Sequence, residues 1–70
     1  MYQRWESSTR YYVIHVDVDL LGDLTLRRVW GGLVSPRGNQ KTECLTPGQV
    51  EARVEQLAKQ RRRRGYVRIM

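Results

Sequence analysis

From Tyr11 to Leu20 the chain alternates: Tyr12, Ile14, Val16, Val18 and Leu20 fall on one side of an extended backbone, and Tyr11, Val13, His15, Asp17 and Asp19 on the other. A period of two over this length is the pattern of a half-buried strand. Leu21-Gly22-Asp23 is a turn signal. The alternation then resumes, with Leu24, Leu26, Arg28 and Trp30 against Thr25, Arg27 and Val29. Gly31-Gly32 interrupts this second strand, which predicts a bulge, a bend or close approach of another backbone. Ser35-Pro36-Arg37-Gly38-Asn39 reads as a loop, and 40–45 as a third short strand.

The clearest helix begins after Thr46. Thr46-Pro47-Gly48-Gln49 fits a capping box with proline at the first helical position. Val50, Val54, Leu57 and Ala58 follow as a narrow apolar stripe, and Glu55 lies one turn before Lys59. Arg61 to Arg64 close the last turn, where the helix dipole favours cations, and Gly65 supplies the stop. Residues 66–69 read as a final strand. The expected architecture is α+β: a small antiparallel β-sheet with one α-helix packed on a face, in the order β-β-β-α-β. Residues 11–70 form the domain. Residues 1–10, without clean periodicity, read as an N-terminal tail with Trp5 docked on the body.

Composition narrows the function classes. The chain has 70 residues, enough for one small domain that buries only about 60% of its unfolded surface. The single Cys44 cannot form an intramolecular disulfide, and with one histidine no Cys/His metal cage is possible. No apolar run is long enough for a membrane span or a signal peptide. These features exclude a disulfide scaffold and a zinc finger, and the expectation is a cytoplasmic protein with no membrane partner.

Charge is the distinctive feature. Thirteen Lys plus Arg stand against seven Asp plus Glu, a net charge of +6. Residues 1–23 carry a net −2, 24–46 a net +3 and 47–70 a net +5. A small domain polarised in this way offers a basic side to a polyanion.

Catalysis finds little support. His15 shares a strand face with Asp17, but the pair reads as exposed strand residues rather than a proton relay. Cys44 lacks an activating neighbour in sequence and reads as a small buried residue. Asp17, Asp19 and Asp23 lack the rest of a calcium loop, and Gly31, Gly32 and Gly38 lack the Lys-Ser/Thr of a phosphate loop. No enzyme, cofactor, metal or small-molecule substrate is expected.

Two features point to binding. Four consecutive arginines spray around the helix end, with Arg64 on the same edge as Arg53 and Gln60. Arg61 falls almost within the apolar stripe, so its stem should lie on the body while its head reaches out. Trp30, between arginines and glycines, suits stacking on a sugar or base while cations hold phosphates, or else filling the space the glycines leave.

Leu21-Gly22-Asp23, Leu26-x-Arg28-x-Trp30-Gly31, a glycine loop ending in Gly38-Asn39-Gln40, a basic amphipathic helix and Arg64-Gly65-Tyr66 together resemble the WGR domain. That module occurs in poly(ADP-ribose) polymerases and in bacterial proteins, and the resemblance spans about residues 11–69. It implies an antiparallel sheet with one helix, and binding of nucleic acid, in which the motif tryptophan packs on the sugar at a DNA end. Carried over, Trp30 is the stacking residue, Gly31 the motif glycine, and Arg28, Arg37 and Lys41 the backbone contacts. Arg53 and Arg64 join them from the helix edge. Gly32 stands where the family has its motif arginine, which removes the residue tied to signalling between domains. The expected partner is therefore a nucleic acid, DNA rather than RNA. The alternative is a protein partner or a second copy of the chain on the same surface.

Overall fold

The computed structural model describes residues 1–35 and 37–70; the part of the expected loop at Pro36 lies outside them. Five antiparallel strands form one sheet, and one helix packs on a single face of it. The strands are β1 (Tyr2–Glu6), β2 (Arg10–Val18), β3 (Leu24–Gly32), β4 (Gly38–Leu45) and β5 (Val67–Arg68), and the helix α1 is Pro47–Arg63. Across the sheet the order is β4-β3-β2-β1-β5.

The β2–β3 hairpin is the frame. Its register pairs Tyr12 with Trp30, Ile14 with Arg28, Val16 with Leu26 and Val18 with Leu24, so the two sequence alternations face the same way. That shared face receives the helix: Trp5, Tyr12, Ile14 and Leu26 from the sheet meet Leu57 and Ala58 from α1. Asp19 closes the hairpin. Its carboxylate accepts from the backbone N–H of Leu21 and Asp23, both at 2.9 Å, and its own N–H reaches the Asp23 carbonyl at 2.9 Å. This side-chain mimicry of a turn holds Leu20 and Leu21 outward at the tip, in solvent.

The N-terminal segment departs from expectation. Residues 2–6 are not a tail but a strand between β2 and β5, in register Trp5↔Tyr12 and Trp5↔Arg68. The ammonium group of Met1 donates to the Val16 carbonyl at 3.1 Å. The sequence pattern hides this strand because each face is mixed: Gln3 and Trp5 point to the helix, while Tyr2, Arg4 and Glu6 point away. Trp5 is almost fully buried, and its indole N–H donates to Gln3 Oε1 at 3.1 Å. A segment expected to be peripheral thus supplies the largest side chain of the core.

The helix ends behave as the sequence suggests. The Thr46 N–H donates to Gln49 Oε1 at 3.1 Å, and Pro47 opens the helix. At the other end the Tyr66 N–H returns to the Arg61 carbonyl at 2.9 Å and the Gly65 N–H to the Arg62 carbonyl at 3.1 Å, with Gly65 at φ +83°. This is a Schellman closure, and it folds Tyr66 back over Arg61. The last strand is shorter than expected, since residues 65–66 are used in this closure. Cys44, expected to be buried, lies exposed on the edge strand. No helix among the described residues is long and apolar enough to cross a membrane.

With so few core residues, each carries much of the stability. Trp5→Ala should cost about 3–5 kcal/mol, the usual range for removing a buried aromatic. Chemical denaturation followed by circular dichroism checks this, and a loss below about 1 kcal/mol would return the segment to the status of a tail.

Candidate nucleic-acid interface

The hairpin tip marks one end of the sheet, and the other end is built differently. There β2 begins at Arg10, β3 runs out at Trp30-Gly31-Gly32, and β4 starts at Gly38. Tyr11, Gly31 and Gly38 stand side by side across three strands. A Cβ on Gly31 would come within 2.8 Å of the Arg37 carbonyl and 3.0 Å of the Tyr11 hydroxyl. One on Gly38 would meet the Trp30 carbonyl at 2.8 Å. The glycines are therefore required by close approach, and the Tyr11 ring covers the bare backbone they leave. Gly31→Val should destabilise the domain by about 1–3 kcal/mol, read as a lowered thermal midpoint, whereas Gly48→Ala, where nothing lies within 4 Å, should not.

On the helix side of this end lies an open groove of about 780 Å³. Five arginines line it: Arg10 from β2, Arg28 from β3, Arg37 before β4, and Arg61 and Arg64 from the helix C-terminus. No acidic residue is among its described lining. Aromatic rings form its floor. The rings of Tyr12 and Trp30 stack at 6.0 Å with 16° between their planes, and Tyr66 meets Tyr12 edge-on at 6.5 Å.

Guanidinium groups are threaded through these rings. The Arg61 guanidinium carbon sits 4.1 Å from the centre of Tyr12 and 5.0 Å from that of Tyr66. That of Arg28 is 5.9 Å from the Trp30 ring. Arg61 is only 9% exposed overall, with its stem and Nε buried and its guanidinium between the two rings at the groove wall. The reason is the Schellman closure, which brings Tyr66 over the guanidinium. The Nε atoms of both Arg28 and Arg61 are buried without a hydrogen-bond partner among the described residues. Arg28 has a carboxylate nearby, Glu43 at 3.9 Å, but Glu43 is held at 2.9 Å by Arg53. Arg61 has no carboxylate within 4 Å among the described residues. Cation–π contact lowers the cost of such a burial without neutralising the charge. The groove is thus short of negative charge.

Five of the sequence-derived site residues meet here: Trp30, Gly31, Arg28, Arg37 and Arg64. Two do not. Lys41 shares the helix-side face with its register partner Arg28, yet stands exposed on the edge strand, outside the groove. Arg53 is tied along the middle of the helix, donating from Nε to Glu43 and from Nη1 to Gln56, both at 2.9 Å. Sequence reasoning misses Arg10, Tyr12, Arg61 and Tyr66 as site residues. Arg10 falls in the segment that reads as a tail. Arg61 does carry a signal, a cation recurring in the apolar stripe of a helix.

Trp30 is half-buried, with one ring face given to Tyr12, so it both fills the gap beside the glycines and borders the groove. At Gly32, a Cβ would lie 2.9 Å from that of Ser35. Ser35 therefore occupies the space that a side chain at this position would need. The other residues singled out for chemistry lie elsewhere. His15 is on the open face with Arg27 at 3.5 Å, and Asp17, Asp19 and Asp23 are at the hairpin end. Arg4, also on the open face, has its pKa raised by the hydrogen bond to Glu6 and lies 4.9 Å from the Tyr11 ring.

No family model matches this chain. Neither does any curated protein or solved structure. The geometry of the groove is therefore the ground on which a function can be argued.

Proposed function

We propose that the protein is a non-enzymatic nucleic-acid-binding module, similar to a WGR domain, and that the arginine groove is its contact surface. The observation that carries this reading is a concave site with five arginines, no acid among its described lining, and an aromatic floor. Regularly spaced phosphates answer the charge, and flat sugars or bases answer the rings. Arg37 and Arg64, both exposed, make the outer phosphate contacts. Arg28 and Arg61, already largely desolvated, add positive charge to the groove wall, which an anion meets at little further desolvation cost. The exposed edge of Trp30 borders the backbone, as the resemblance suggests, and DNA is favoured over RNA on that resemblance alone. The loss of the motif arginine at Gly32 fits a module that binds without relaying a signal.

Titration of a blunt or nicked DNA duplex at several salt concentrations tests this. With about five phosphates neutralised, log K should fall against log salt with a slope near ~−4.5. Arg37→Ala and Arg64→Ala should each flatten the slope by about 0.9, whereas Arg53→Ala should leave it unchanged. Absence of binding at low salt, or loss caused equally by Arg53→Ala, would reject the groove as the interface.

A further inference from the structure

We infer that the β2–β3 hairpin tip of one copy docks into the arginine groove of another, giving a head-to-tail association that competes with nucleic acid. The tip is the most conspicuous unexplained surface on the molecule. Leu20 and Leu21 are 104% and 88% exposed, and Val18 beside them 59%. Four hydrogen bonds centred on Asp19 hold this turn, so the leucines are displayed by a formed structure rather than a loose loop. Asp17, Asp19 and Asp23 flank them, with no base from Asp17 to Leu26.

The groove is the chemical complement of that tip. It offers five arginines without an acid among the described lining, and aromatic walls for apolar side chains. The other cavity on the helix side, about 630 Å³, is bordered by Trp5, Val16, Leu24, Val50 and Val54, but its rim mixes Glu51 and Glu55 with Arg62 and Arg68. It presents no net sign to a tip carrying three carboxylates, and so the charge pattern selects the groove.

The tip cannot reach the groove of its own chain. The two lie at opposite ends of the same paired strands, nine residues each, roughly 27 Å apart at ~3.4 Å per residue. A second copy is therefore needed, and the contact is heterologous: each molecule presents a tip at one end and a groove at the other. Such contacts grow into open chains unless capped. The competition with nucleic acid rests on the function proposed above; the association itself does not.

Sedimentation of the protein without nucleic acid, at low ionic strength and rising concentration, tests the association. The wild type should gain mass with concentration and lose it as salt is raised. A tip variant (Leu20→Ser with Leu21→Ser) and a groove variant (Arg37→Glu with Arg64→Glu) change only exposed side chains and should keep the native circular dichroism. Each alone should stay monomeric at concentrations tenfold above those at which the wild type associates. Mixed in equal amounts, they should form a dimer and nothing larger, since one supplies the groove and the other the tip.

A wild type that stays monomeric overturns the inference. So does a groove variant that associates like the wild type, or a mixture that forms no dimer. DNA titration of the tip variant separates the two proposals. Tighter apparent binding than wild type, at concentrations where the wild type associates, supports competition. Equal binding there overturns the competition. Association without any DNA binding leaves the docking intact and removes the function proposed for the groove.

Discussion

Arg61 held between Tyr12 and Tyr66 is the contact on which this domain depends. An arginine within the apolar stripe of a helix would ordinarily snorkel into water. Here the Schellman turn at Gly65 returns the chain, and the guanidinium is enclosed by two rings without a carboxylate within 4 Å among the described residues. One side chain thereby seals the end of the core, seats the C-terminal segment and sets the floor of the groove. A largely buried charge held against π faces is costly, and an anion in the groove would offset part of that cost.

The rest of the site follows from how the sheet ends. Gly31 and Gly38 remove side chains where Tyr11 lies across the strands, and this lets β3 and β4 run close together behind Trp30. The indole is then fixed by Tyr12 on one side and bordered by Arg28 on the other. Charge separation along the hairpin adds a second level of organisation. Carboxylates gather at the turn and arginines at the open end, so the molecule carries an electrostatic direction along its length. Under the two proposals made above, this polarity would steer a polyanion to the open end and favour end-to-end contact between copies.

Several of these features are legible in the sequence. The alternation in β2 and β3 is long and its apolar set is bulky, so face and pairing follow together. Trp30, Gly31, Arg28 and Arg37 lie close along the chain, and a hairpin with its following loop keeps such neighbours near in space. Arg64 reaches the groove by its place at the helix end. Lys41 and Arg53 do not, because their sequence neighbourhood says nothing of the strand edge or of Glu43, which captures Arg53. β1 is hidden because a strand buried between two others can carry mixed faces, its order coming from backbone pairing and one large tryptophan.

The sequence by itself determined the local elements: hairpin, capped helix, glycine-closed C-terminus and the excess of arginine after residue 24. These depend on periodicity, capping and turn chemistry, all of which act over a few residues. Only the tertiary structure decided which arginines share one groove, which is spent on Glu43, and which is sealed between tyrosines. Those outcomes depend on strand register and on where one turn brings the chain back, and neither is written in any single segment.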